Sequence, residues 1–185
     1  KLEERIEKVL EDAERDVRRS EEEIRRVLKE VEDRVRRLLR ENEDALRRVE
    51  EEVKKIIDRV KDDERLVRDL KRTLDEIRER VKESNKRLEE LLRRVEKTVR
   101  EVLKRSRDSL RKVRTLVEEA KKRVRDEKIV KRVIETLREL LKENRKLVKD
   151  VIEDLKRIVK EVEELVRESI ERLKDMVRRI SEKAK

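Results

Sequence analysis

The chain has 185 residues, of which 59% are Asp, Glu, Lys or Arg and 34% are apolar, and its formal net charge is +10. It contains no Cys, His, Gly, Pro or aromatic residue. Without Cys and His, the sequence excludes disulfides and the usual ligands of zinc, haem and iron–sulfur clusters. Without Gly, it excludes a glycine-rich phosphate loop. We therefore expect no metal and no cofactor.

The first predicted element is a helix over about residues 2–61, defined by a single apolar stripe. Stripe positions follow one another at steps of 4, 3, 4, 4 and 3 residues, and the cycle then repeats, so that 18 residues make five turns. The period is 3.6 residues per turn, which is the pitch of a straight α-helix rather than the 3.5 of a left-handed supercoil. A helix of this length measures about 90 Å.

The same 18-residue cycle predicts a second helix over about residues 64–124 and a third over about 128–184. Charged residues interrupt the stripe at the two predicted turns, 62–63 and 125–127. In each turn, basic residues end one helix, Asp offers an N-cap and Glu begins the next helix, as the helix dipole favours. Because the chain has no Gly, a left-handed residue after either helix would have to be Asp or Lys.

Two turns between three helices of similar length predict an all-α fold: a single-chain, antiparallel three-helix bundle with up-down-up topology. We expect residues 1–185 to form one domain. The folding back at the turns predicts that Val60 lies near Leu66 and Ala184, and that Leu2 lies near Val124 and Val130.

Six polar residues occupy in-phase positions of the stripe: Ser20, Asn42, Ser84, Ser106, Asn144 and Ser169. Opposite positions of an antiparallel helix pair have a constant sum of residue numbers. Ser20 with Ser106 and Asn42 with Ser84 both sum to 126, whereas Ser106 with Asn144 sums to 250 and Ser84 with Ser169 to 253. The sequence thus predicts one layer of Ser20, Ser106 and Asn144 and another of Asn42, Ser84 and Ser169.

These polar layers are interpreted as structural devices that set the helix register. In a uniform Leu, Ile and Val core, a slip by one turn would still bury apolar surface, but it would leave buried polar groups unpaired at a cost of about 1–3 kcal/mol each. A catalytic role requires a base beside the hydroxyl, and the stripe contains no in-phase His, Lys or carboxylate. We therefore predict no catalytic, cofactor-binding or metal site and no enzyme activity.

The positive charge is concentrated in the middle of the chain, where residues 62–125 carry 23 basic and 15 acidic side chains. It is densest at Lys104–Arg107 and Arg111–Arg114. We interpret this region as a solvated helix surface filled with helix-forming residues of both signs, rather than as a patch for nucleic acid or an anionic membrane.

Four features together characterise the whole chain. They are the straight 18-residue stripe, the short Asp-Glu turns at 62–64 and 126–127, the Arg, Glu and Lys surface, and the absence of aromatic residues. In these features the sequence resembles de novo, parametrically designed, untwisted antiparallel three-helix bundles. The resemblance implies a hyperstable, monomeric structural scaffold with no natural partner, neither nucleic acid nor membrane. It also implies no natural location: the protein would be soluble in the cytoplasm of a recombinant host.

Three alternatives remain open from the sequence. One is a self-associating coiled-coil rod or homodimer, in which an unbroken helix places Asp63 in the stripe between Val60 and Val67. The second is an amphipathic protein that lies on a lipid surface, and the third is an electrostatic nucleic-acid binder.

Overall fold

The computed structural model describes residues 2–185, which form three α-helices: α1 at Leu2–Arg59, α2 at Glu64–Lys122 and α3 at Glu127–Lys183. The described residues contain no strand, and all three helices pack against one another as an all-α three-helix bundle. The fold class predicted from the sequence is therefore confirmed. The helix ends differ from the predicted ones by one or two residues, and α1 ends at Arg59 rather than near residue 61.

The two turns close without any left-handed residue. Asp63 N–H donates to the carbonyl of Val60 at 3.0 Å, and Asp126 N–H donates to the carbonyl of Arg123 at 3.0 Å. In both bonds the acceptor carbonyl belongs to the third residue before the donor N–H. Such bonds form a 3₁₀-type turn at the end of a helix. No residue of the described chain has a positive φ. Neither Asp nor Lys therefore adopts the left-handed conformation in place of Gly, because a tight turn satisfies the backbone instead.

Each turn ends in an Asp that caps the next helix. Asp63 Oδ1 accepts a hydrogen bond from the backbone N–H of Leu66 at 3.1 Å. Asp126 Oδ1 accepts bonds from the backbone N–H groups of Lys128 at 3.1 Å and Ile129 at 3.4 Å. A carboxylate in this position satisfies N–H groups that have no partner within the helix. Asp63 therefore lies outside the helices rather than in the stripe of one unbroken helix.

We expect Asp63→Ala to lower the free energy of unfolding by about 1 kcal/mol, the usual cost of losing an N-cap. The matched control is Asp62→Ala, because Asp62 lies in the same turn, is exposed and makes no capping bond. Guanidinium denaturation of both variants measures the difference. Equal losses of stability would contradict the capping role of Asp63.

The chain divides into two compact units, each of which takes one segment from every helix. Unit 1 consists of the chain up to Glu30 together with Arg94–Lys156, and unit 2 consists of Val31–Arg93 together with Arg157–Lys185. Each unit has its own cluster of buried apolar residues. The cluster of unit 1 is Ile6, Ala13, Val113, Val117, Ala120, Val130, Ile134 and Leu137. The cluster of unit 2 is Val49, Val53, Ile56, Leu70, Leu74, Ile77, Val81, Leu173, Val177 and Ile180.

The ends of the helices pack as the two turns require. In unit 2, Val60, Leu66 and Ala184 pack against the same cluster, as predicted from the sequence. In unit 1, Leu2 packs against the cluster that contains Val130. Residues far apart in sequence are thus brought together at these clusters by the reversal of the chain at each turn.

Two buried residues lie outside the stripe that the sequence analysis identified. Ile134 and Ile152 are both buried, and they are one 18-residue repeat apart on α3. A helix in a three-helix bundle contacts two neighbours, so the arc that it buries is wider than one line of side chains. The stripe therefore predicts too few core residues on the side of α3 where these two isoleucines lie.

Candidate functional site

The six polar positions of the stripe fall into two groups of three. Unit 1 contains Ser20, Ser106 and Asn144, and unit 2 contains Asn42, Ser84 and Ser169. Asn42, Ser106 and Asn144 are buried, whereas the three other serines are half-buried. Each predicted layer therefore lies within one unit, but its members are not equally enclosed.

In unit 1 a single buried hydrogen bond joins α2 to α3. Ser106 Oγ donates to Asn144 Oδ1 at 2.8 Å, and the two residues are only 1% and 5% exposed. Both lie at stripe positions of their helices, between apolar turns that exclude water. Within the described residues, Ser20 makes no side-chain hydrogen bond to either of them. The layer predicted as three residues is therefore a bonded pair with a half-buried third member.

In unit 2 the buried Asn42 of α1 bonds twice to α2. Its Nδ2 group donates to Ser84 Oγ at 3.2 Å and to Asn85 Oδ1 at 3.0 Å, and Asn42 is 1% exposed. Ser169 of α3 makes no hydrogen bond to this group among residues 2–185. The sequence predicted Asn42 beside Ser84, and the structure places them together, whereas Ser169 stays outside the bonded group.

Asn85 is a member of the polar group that the sequence analysis missed. It lies one residue beyond the stripe position Ser84, so it is not in phase with the apolar residues. Two signals could have identified it. It is one of three asparagines in the chain, and its number sums with that of Asn42 to 127, close to the predicted value of 126.

Ion pairs also join α1 to α2 in unit 1. Three pairs place an acid on α1 and a base on α2, at nitrogen–oxygen distances of 3.4 to 3.5 Å. They are Glu7 with Lys121, Glu14 with Arg114 and Glu21 with Arg107. Successive pairs are seven residues apart, and the two residue numbers of each pair sum to 128. A constant sum is expected when two antiparallel helices have one register.

In unit 2, the residue numbers of the ion pair between α1 and α2 have the same sum. It joins Glu50 to Arg78 at 3.4 Å, again with the acid on α1. Exposed ion pairs of this kind contribute about 0–1 kcal/mol each. Their individual effect on stability is therefore small, but they all match one alignment of the two helices.

Ion pairs between α1 and α3 show that these helices run parallel. In unit 1, Arg145 Nε donates to Asp16 Oδ2 at 2.8 Å. In unit 2, Arg34 forms an ion pair with Glu163, although Glu163 Oε1 has no partner with hydrogen-bond geometry. Both pairs differ by 129 in residue number, and a constant difference rather than a constant sum is expected for parallel helices.

Unit 2 has a surface groove of about 500 Å³ between α2 and α3. Leu165, Met176, Ser84 and Ser169 line part of it. Leu165 is 62% exposed, which is ordinary for a single surface leucine. Glu83 and Glu168 also line the groove, but among the described residues neither serine hydroxyl is hydrogen-bonded to a carboxylate, which is the pairing that activates a nucleophile.

The described residues contain no group of three or more carboxylates arranged to hold a metal ion. Over the same residues, no helix is sufficiently long and apolar to cross a membrane. The polar groups that the fold brings together are amides and hydroxyls that bond to one another. Such an arrangement can align helices.

No protein-family model matches this chain, and comparison with curated proteins and with solved structures found no match.

Proposed function

We propose that this protein is a structural scaffold: a designed, monomeric and soluble helical bundle that has no enzyme activity and no natural partner, cofactor or cellular location. The observation that carries the proposal is the buried Ser106–Asn144 hydrogen bond, which joins two helices whose stripes each contain only one other polar residue, Ser84 or Ser169. The bond aligns α2 with α3.

The bond discriminates between registers that the apolar residues do not distinguish. Because the stripe repeats, a slip of α3 by one turn past α2 would give most apolar side chains equivalent neighbours. The same slip would move Ser106 Oγ and Asn144 Oδ1 apart by about 5.4 Å. Two buried polar groups would then be unpaired, at a cost of about 1–3 kcal/mol each. The Asn42 amide opposes a slip of α1 past α2 in the same way.

A designed origin is supported by two regularities. The first is the 18-residue stripe, which is maintained through all three helices with no aromatic residue, Gly or Pro. The second is the ion-pair pattern, in which the pairs between α1 and α2 have one sum and those between α1 and α3 have one difference. Both patterns are expected when side chains are chosen on an idealised backbone with one intended register.

The test replaces all six polar stripe positions with apolar residues, Asn by Leu and Ser by Ala. We expect a higher denaturation midpoint, because the cost of burying polar groups is removed. We also expect several registers or oligomers, visible as multiple sets of NMR signals or as a higher mass in light scattering. The parent protein should give one set of signals and the mass of a monomer.

The control is Ser20→Ala with Ser169→Ala, because neither serine takes part in the bonded groups. This variant should keep one register. If the six-fold variant remained a monomer with one set of sharp signals, the register role would be wrong. If the parent protein were a dimer, the proposed monomeric scaffold would be replaced by the self-associating alternative.

A further inference from the structure

The exposed side of α2 in unit 1 is strongly basic over residues 97–114. We refer to its eight cationic side chains as the basic face, and all of them are exposed. They are Lys97, Arg100, Lys104, Arg105, Arg107, Arg111, Lys112 and Arg114. The same stretch contains two carboxylates, Glu101 and Asp108.

Most of the basic face is not neutralised within the protein. Arg107 and Arg114 pair with carboxylates of α1, and Arg111 lies 3.9 Å from Asp108. The other five cations form no ion pair with a described carboxylate. One of them, Arg100, donates to the backbone carbonyl of Glu96 at 3.4 Å. The basic face therefore has an excess of positive charge that its ion pairs do not neutralise.

The charge of unit 1 is distributed unevenly between its helices. The α2 segment 94–122 has 11 basic and 5 acidic residues, whereas the α1 segment 2–30 has 8 basic and 11 acidic residues. The net charges are +6 and −3, respectively. A one-sided charge of this size produces a positive potential that attracts polyanions from solution.

We propose that the basic face binds the phosphate backbone of duplex nucleic acid without reading its sequence. Residues 97–114 span about 26 Å of straight helix, and duplex DNA presents about fifteen phosphate charges over that length. Lys97, Lys104 and Arg111 are seven residues apart, so they form a line with a spacing of about 10.5 Å along the helix axis. Contacts of this kind supply affinity and no sequence readout.

The composition of the face favours a duplex over other polyanions. An amphipathic helix that binds a membrane inserts its apolar side, but Val99, Val102 and Val113 of this segment are buried in the protein. Proteins that bind single strands stack bases on aromatic side chains, and the chain has none. The sequence favours a solvated helix surface with residues of both signs over a nucleic-acid patch. The ion pairs show that five cations of the face are not offset.

The experiment compares two variants that lose the same charge from different helices of unit 1. The face variant is Lys97→Gln, Lys104→Gln, Arg105→Gln and Lys112→Gln. The matched control is Arg5→Gln, Lys8→Gln, Arg18→Gln and Arg25→Gln, all exposed on α1 and outside the observed ion pairs. Each variant lowers the net charge from +10 to +6. Circular dichroism verifies that both remain helical.

Binding of a fluorescent DNA duplex of mixed sequence is measured by anisotropy over a range of salt concentrations. About five phosphate contacts predict that the affinity of the parent falls about 500-fold between about 50 and 200 mM salt. In the face variant, the slope of log affinity against log salt should decrease in magnitude by about three to four. The control should bind within about three-fold of the parent, since it retains every contact of the face.

Three results would overturn the proposal. If both variants lost affinity equally, binding would reflect net charge alone and no docking face would exist. If the parent did not bind at low salt, the face would be only a solvated surface. If it bound phosphatidylserine vesicles more tightly than the duplex, the partner would be an anionic membrane. The proposed structural scaffold does not depend on any of these results, and binding of the duplex would replace only its proposed lack of a nucleic-acid partner.

Discussion

We expect Ile77→Ala to lower the free energy of unfolding by about 2–5 kcal/mol. Ile77 is 0% exposed and belongs to the apolar cluster of unit 2. Removing its terminal carbons loses the free energy gained by burying them away from water, and it leaves a cavity. Long, regular helices can fill this cavity only in part, because their backbones are held by many other contacts. The loss is measured from the guanidinium denaturation curve at constant slope.

The control is Leu165→Ala, which deletes a comparable volume from the surface of the same unit. Leu165 is 62% exposed, so this change should alter the free energy of unfolding by no more than about 0.5 kcal/mol. A similar loss in both variants would mean that Ile77 is not held in a packed core. A stabilised Leu165→Ala variant would not affect this conclusion, because the comparison rests on the cost at Ile77.

Our second major expectation is a thermal midpoint above about 90 °C, in the range of hyperstable proteins. Three helices of 57 to 59 residues each bury an apolar side over many turns. Their exposed positions are mostly Glu, Lys and Arg, which have high helix propensity, and Asp caps begin α2 and α3. Local preference and tertiary packing therefore favour the same conformation over almost the whole chain.

Circular dichroism at 222 nm during heating measures this midpoint, with Ile77→Ala as the internal comparison. The variant should unfold at a lower temperature than the parent, and its unfolding should remain cooperative. A cooperative loss of helicity in the parent below about 70 °C would contradict the packed bundle and favour loosely associated helices.

The different behaviour of Ser106 and Ser84 shows how closely a polar layer must be aligned. Ser106 and Asn144 sum to 250 and are bonded, whereas Ser84 and Ser169 sum to 253 and are not. Three residues correspond to about 4.5 Å along a helix axis, which exceeds the length of a hydrogen bond. Asn42 is instead hydrogen-bonded to α2 alone, through Ser84 and the adjacent Asn85. A three-residue mismatch visible in the sequence thus separates the bonded pair from the unbonded one.

The amino-acid pattern was sufficient to predict the three helices, their ends within two residues, and the reversal of the chain at Asp63 and Asp126. These features are local: a stripe of constant period defines a helix, and an Asp followed by Glu and a new stripe defines its beginning. The same periodicity identified most of the buried residues, because a residue in phase with the stripe faces the neighbouring helices in any packed arrangement.

Which of these residues contact one another depends on how the helices pack. Hydrogen bonds depend on distances well below one helical turn. Ser20 with Ser106 has the same sum of residue numbers as the bonded Asn42 with Ser84, so the sequence could not reveal that Ser20 stays outside the bonded group. The burial of Ile134 on α3 and the unpaired charge of Lys104 on α2 depend on which side of each helix its two neighbours cover. The apolar stripe of one helix does not specify this. The period of a helix sets the direction of its side chains, whereas the distances between helices arise only when all three pack together.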